Sequence, residues 1–328
     1  MVFKEIIGHE RQKIVLKRLM DSGKMPHALL FSGQDGIGKK KLAVACIQYM
    51  LCERGYGCGE CRSCITINRR THPDVLFVED DGPIGIDIIR GNREKKITGI
   101  NEEIYEYPYQ STVRAIIIDQ AEMMTQEASN ALLKTLEEPP LFNVFFLITS
   151  SEQAIPLTIR SRCRRVGFTS LNEDELLRYG TGVLRLDDER ARFFSTISCG
   201  SIKAGLFWLQ EENLAMRRRL AELVVGKERS FLHTTLISEK ISQTDRQMYM
   251  YLAFLLSLFR DMYVIHHAHI PSSYVMNRDI QELLEWATVD MEWIISSIKK
   301  IHEAQHYMRY AVNRWLLLEN TLLHILRV

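Results

Sequence analysis

A glycine-spaced loop ending in two lysines, Gly33-Gln34-Asp35-Gly36-Ile37-Gly38-Lys39-Lys40, is the first place in this chain where residue types and spacing suggest chemistry. Glycines so placed let successive backbone N–H groups wrap a phosphate, and the lysine after the last of them, Lys39, reaches the terminal phosphates. The Walker A pattern asks next for Ser or Thr, whose hydroxyl ligates Mg²⁺. Lys40 stands there instead and is no cation ligand. The loop reads as part of a nucleotide fold, and the substitution reads against a working ATPase. Asp119 closes the apolar run from Val113 to Ile118, the Walker B arrangement in which a strand-end carboxylate holds Mg²⁺. Active enzymes of that kind usually follow it with Glu, to polarise the attacking water. Here the position is Gln120, a neutral amide that accepts no proton, and Glu122 is expected to point elsewhere. The alternative, that Asp119 merely ends a core strand, is weakened by the loop upstream.

Cys52, Cys58, Cys61 and Cys64 form a second constellation. Four thiolates at such spacing suit tetrahedral Zn²⁺, and a closed four-sulfur site is structural because no position is open for substrate. Unrelated reduced thiols, or a disulfide formed on handling, are the alternative. The dense Cys-x2-Cys-x2-Cys run and a reducing compartment favour zinc. His72 competes as a ligand. A third candidate, His302-Glu303-Ala304-Gln305-His306, matches the zincin pattern. It lacks a third ligand downstream, where Tyr307 to Leu318 reads as amphipathic packing, so we read it as a helix face. His266, His267 and His269 are read as surface.

The elements that must position these groups follow from periodicity. Ala28 to Phe31 reads as a buried strand before the loop, and a helical pattern follows from near Leu42. Further strands are expected at Val75 to Val78, Val113 to Asp119 and Val144 to Ile148. A helix is expected around Asp87 to Lys95, and another from Thr125 to Glu138, with Thr125 as N-cap and Pro139-Pro140 as its stop. Asn172-Glu173-Asp174-Glu175 reads as a capping box. The 328 residues allow two or three domains, and 46% apolar with 25% charged residues is a globular composition. A formal charge of +1 excludes a global basic field, so any nucleic-acid contact must be local. The apolar run Tyr249 to Phe259 is cut by Arg260 and Asp261 before transmembrane length. Met1 to Glu5 lacks a signal-peptide core, and a cytoplasmic location is expected.

Longer strings resemble a known family. Asn130-Ala-Leu-Leu-Lys-Thr-Leu-Glu-Glu-Pro-Pro140 with Ser161-Arg162-Cys163, His27 to Gly33, the cysteine knuckle and His72-Pro73-Asp74 resemble bacterial DNA polymerase III clamp-loader subunits of the AAA+ class. The match is detailed over the first half. Gly200-Ser201-Ile202-Lys203 resembles the lid motif, and Asn313 with Leu318-Glu319-Asn320 resembles the end of the collar domain. The resemblance implies an α/β AAA+ P-loop domain over residues 1–167, with a zinc knuckle inserted at about 50–66. A helical lid would span 168–208, and an all-α collar 209–328. It also implies gamma/tau-like and delta-like partners in a hetero-oligomeric ring, a sliding clamp, and primer-template DNA reached through the complex, with no membrane.

Active gamma-type members have Thr where Lys40 stands, Glu where Gln120 stands, and Arg where Lys203 stands. The resemblance is therefore nearest to the delta-prime type. ATP or ADP binding through Gly33, Gly36, Gly38, Lys39 and Asp119 stays open, and Mg²⁺ is disfavoured. The gap between Cys52 and Cys58 is shorter than the family's, which leaves Cys52 or His72 as fourth ligand. In the family the arginine of Ser-Arg-Cys reaches into the neighbouring subunit's ATP site, so Arg162 is expected to act in trans as an arginine finger. The other reading is a basic surface for the DNA backbone, which Arg164 and Arg165 would serve.

Overall fold

The computed structural model describes residues 2–79, 82–92, 94, 98–226, 230–267, 275–287, 289–308, 310 and 312–327. Contiguity divides the chain into two compact units, residues 1–179 with 200–203, and residues 180–199 with 204–328.

The first unit is built on a five-stranded parallel sheet: β1 (Ala28–Ser32), β2 (Val75–Val78), β3 (Arg114–Ile118), β4 (Asn143–Thr149) and β5 (Arg164–Gly167), in the order β2-β3-β4-β1-β5. Central strands of a parallel sheet are covered on both faces, which is why they read as continuous apolar runs. Successive residues then serve opposite cores. Leu29, Phe31, Ala115, Ile117, Phe146 and Ile148 pack on one face with α1 (Glu10–Asp21) and α2 (Lys39–Leu51). Ala28, Leu30, Ile116, Ile118, Phe145 and Leu147 face the other way.

Between α2 and β2 lies α3 (Arg62–Asn68). The second face is covered by α4 (Ile86–Arg90), α5 (Ile100–Glu103), α6 (Gln126–Glu137) and α7 (Leu157–Arg160). The Thr125 hydroxyl accepts a hydrogen bond from Ala128 N at 3.2 Å and caps α6 as expected. Ala128, Ala131, Leu132, Thr135 and Leu136 are all buried. The helix expected at Asp87 to Lys95 is shorter, ending at Arg90, with residues 93 and 95 outside the described set. The capping box opens α8 (Glu173–Gly182): Asn172 Oδ1 accepts from Glu175 N at 2.8 Å, and Glu175 Oε2 accepts from Asn172 N at 2.9 Å.

The second unit is helical, with α9 (Asp188–Ile197), α10 (Ile202–Trp208, its first residues in the first unit), α11 (Glu211–Val225) and α12 (Phe231–Ile241). It continues with α13 (Asp245–His266), α14 (Gln281–Glu285), α15 (Met291–Tyr307) and α16 (Arg314–Leu326). Contrary to expectation, α13 is long and apolar enough to cross a membrane by length and composition. The physical reason is that Arg260 and Asp261 interrupt the run without ending the helix. Asp261 is fully buried, accepting from Met276 N at 3.0 Å and from Asn277 N and Nδ2 at 2.7 Å, and Arg260 pairs with it. Leu252, Leu255, Leu258 and Phe259 pack in the helical core, which is the setting of a core helix. Arg217 is buried against Asp279, Trp208 and Phe254, a charge neutralised by a carboxylate and covered by two ring faces.

Candidate functional site

The loop, the carboxylates of Glu79 and Asp119 just after β2 and β3, and the lid motif meet at the C-terminal edge of the sheet, where ligands of open α/β sheets bind. Loop geometry depends on Gly36 and Gly38, at φ +76° and +104°. A Cβ on Gly36 would lie 2.2 Å from Lys203 Cβ, so glycine is also what lets the lid motif approach. α2 begins at Lys39, earlier than the periodicity suggests, because its first turn carries the loop's lysines and the apolar face starts only at Leu42.

Each charged group here is engaged within the protein. Lys39 Nζ donates to the carbonyls of Gly33 at 2.7 Å and Gln34 at 2.6 Å. Burial holds the Lys39 pKa below the usual lysine value, against Asp35, Glu122 and Asp119, which raise it. Lys203 pairs with Asp35, and the Ser201 hydroxyl donates to Asp35 O at 2.8 Å. Lys40 Nζ lies 3.0 Å from Asp119 Oδ2 and 2.9 Å from Glu79 Oε1. Arg70 also pairs with Glu79. Glu79 and Asp119 are neighbours because β2 and β3 pair in register, Val78 beside Ile118.

Two of these residues escaped the sequence reading. Glu79 follows an apolar strand just as Asp119 does, and that repeated pattern was the available signal. Arg70 carried none. Glu122, expected to point away, accepts from Ser150 N at 2.9 Å, at the end of β4, and acts electrostatically on Lys39. Gln120 is exposed in a left-handed conformation, φ 51°.

Mg²⁺ needs hard oxygen ligands in an octahedron at about 2.0–2.1 Å. The residues present do not fit it. The position that should carry a hydroxyl carries an ammonium, and that ammonium already lies on both candidate carboxylates.

The four cysteines fit zinc. Their sulfurs all lie within 4.8 Å of one another, and a tetrahedron with Zn–S of about 2.3 Å sets them about 3.8 Å apart. Among the described residues this is the one group of three or more ligand-type side chains close enough to hold a metal. Backbone amides point at the sulfurs: Cys58 N at 3.3 Å from Cys52 Sγ, and Cys61 N at 3.2 Å from Cys58 Sγ. Burial pushes the Cys52 thiol up, but the amides of Cys58, Tyr56 and Arg54 outweigh it and bring it down to about 6. The Cys58 thiol is lowered chiefly by the Glu60 amide, and burial raises that of Cys64. His72 is outside the group, its Nδ1 accepting from Asp74 N at 3.1 Å. The knuckle is fixed to its own unit through Gln48 Nε2 to Cys64 O at 3.2 Å and Val2 N to Gly57 O at 3.1 Å.

Arg162 follows α7 at a surface position, 34% exposed. Nη2 lies 2.5 Å from Glu137 Oε1, and Nη1 donates to Thr158 O at 2.8 Å. Arg164 and Arg165 belong to the edge strand β5, where Arg165 pairs with Glu152. The zincin-like segment lies on α15, with Glu303 beside Lys300 at 3.4 Å and His306 against the rings of Tyr307 and Tyr310. His266 is half-buried, its Nε2 2.9 Å from Leu284 O, and His267 is exposed; His269 lies outside the described residues.

The family model described as DNA polymerase III, delta subunit, matches residues 8–172. The gamma subunit of DNA polymerase III from Buchnera aphidicola subsp. Schizaphis graminum is 31% identical over 258 residues, 74% of this chain and 68% of that protein. Subunit delta' of Escherichia coli is 30% identical over 207 residues, 61% of this chain and 60% of that protein. Subunit tau of Bacillus subtilis is 28% identical over 259 residues, 73% of this chain and 45% of that protein. The chain thus spans between about half and two thirds of the length of these relatives.

Proposed function

Because the chain belongs to the bacterial DNA polymerase III clamp-loader family, we propose that it is a delta-prime-like, largely non-hydrolysing subunit that lends Arg162 to a neighbouring ATP site. Its partners would be gamma/tau-like and delta-like subunits in a cytoplasmic ring that places a sliding clamp on primed DNA. One observation carries this reading: the ammonium of Lys40 lies on the two carboxylates that a hydrolytic site would give to its cation. Gln120 supplies no base, and a transition state deprived of both metal and base loses several kcal/mol of stabilisation from each. Arg162 stands apart from this closed loop and on the surface, where a planar guanidinium suits a neighbour's phosphate.

The domain division carries over as part of the proposal. Residues 168–208 act as the lid, and 209–328 as the collar. Support for a collar role comes from exposed apolar side chains on the helical unit, including Phe231, Leu232 and Leu236 on α12 and Leu316 on α16. The four cysteines would hold a structural zinc with no part in turnover.

The second reading, a gamma/tau-like ATPase with a degenerate loop, is favoured by the Buchnera gamma and Bacillus tau subunits, which align over 74% and 73% of the chain against 61% for delta'. Purified chain given ATP, Mg²⁺ and primed DNA separates the two. The expected result is phosphate release no faster than without protein. Steady turnover at the rate of a gamma-type subunit would establish the second reading.

A further inference from the structure

Resting on the non-hydrolysing reading above, we infer that Lys40 is a tethered cation that takes the place of a divalent metal between Glu79 and Asp119. Its ammonium bridges the two carboxylates at 2.9 and 3.0 Å. These three side chains are each between one fifth and one third exposed, so the charges interact in a medium less screened than bulk water. Arg70 adds a second positive charge on Glu79, and its guanidinium carbon lies 5.2 Å from the centroid of the Phe77 ring on β2. Two carboxylates therefore face two cations, and no net negative charge remains to attract a hard divalent ion.

The arrangement is fixed by the backbone at three points. Glu79 and Asp119 are held by the β2–β3 register, and Lys40 by the first turn of α2. A lysine stem from that turn spans to the strand ends, whereas a threonine hydroxyl there would offer an oxygen and leave the carboxylates to an exogenous ion. The substitution thus does more than delete a ligand. It supplies the missing charge internally and ties the first turn of the loop helix to the ends of β2 and β3.

Titration of the full zinc-loaded chain with Mn²⁺, followed by loss of the free-ion paramagnetic signal, tests this. Mn²⁺ is an oxygen-seeking ion and leaves a thiolate cluster to zinc. Wild-type chain should show no saturable Mn²⁺ site. Lys40→Thr and Lys40→Met, each confirmed as folded by circular dichroism, should bind Mn²⁺ about tenfold or more tightly than wild type, as expected when a unit charge a few ångströms away is removed. Mg²⁺ should compete for the new site. Wild type that binds Mn²⁺ as tightly as the variants overturns the inference, and so do folded variants that gain no site. Both outcomes are read without ATP turnover, so this inference and the non-hydrolysing reading fail separately.

Discussion

Replacing Arg162 by Ala should lower ATP turnover at the adjoining site of a reconstituted complex by on the order of 10³-fold, the lower end of the range for arginine fingers. The isolated variant should melt at the wild-type temperature. That separation follows from where the side chain sits. Arg162 is about one third exposed, and its contacts are a surface carboxylate, Glu137, the Thr158 carbonyl and the neighbouring Ser161 hydroxyl. Exposed pairs of this kind contribute roughly 0–1 kcal/mol, so releasing the guanidinium costs the fold little. A phosphate developing charge in a dry neighbouring site offers a stronger bidentate partner. Arg162→Lys should recover only part of the rate, because an ammonium is a point charge without the planar fork. Turnover of the complex with primed DNA and clamp is the measurement. A complex carrying Arg162→Ala that turns over at the wild-type rate removes the donated arginine from the account.

Cys58→Ser should abolish stoichiometric zinc and open residues 52–68 to protease while the sheet stays folded. The buried members of the knuckle's core are the cysteines Cys52, Cys61 and Cys64 themselves, with Cys58 packed against them. So little apolar burial leaves metal–thiolate bonds as the main source of local stability. Structural zinc in small modules contributes on the order of 10–16 kcal/mol at neutral pH, far more than the caps and single amide contacts that remain. Cys58 is half-buried, so serine leaves no large cavity. The two cores flanking the sheet contain none of the four cysteines, and of the segment only Ile67 on α3 packs into one of them. Elemental analysis and limited proteolysis read the two effects. Metal-free wild type that is fully protected at 52–68 would contradict the structural role.

The central strands were legible because a buried parallel strand is an apolar run bounded by turns. Val75–Val78 falls where it was expected, and β4 extends the expected strand by one residue at each end, from Asn143 to Thr149. The edge strand β5 was not legible. Its residues, Arg164, Arg165, Val166 and Gly167, are exposed apart from half-buried Val166, and a charged edge is how sheets avoid pairing with other chains. Hence it read as an arginine cluster. The phosphate loop, Asp119 and the cysteine group were visible as local spacing. The Lys40–Glu79 contact was not, since it depends on β2 lying beside β3, a fact of topology that no local window contains. Likewise, Arg260 and Asp261 read as an interruption that kept the apolar run short of transmembrane length, yet Asp261 is satisfied by the amides of Met276 and Asn277, and the helix runs through to His266.

A map of the assembled ring with a γ-phosphate mimic bound shows whether this subunit lends a guanidinium across an interface. Arg162 should have left Glu137 and lie about 3 Å from the mimic's terminal oxygens on the adjoining subunit. An Arg162 that stays on Glu137 of its own chain, or faces solvent in that state, contradicts it.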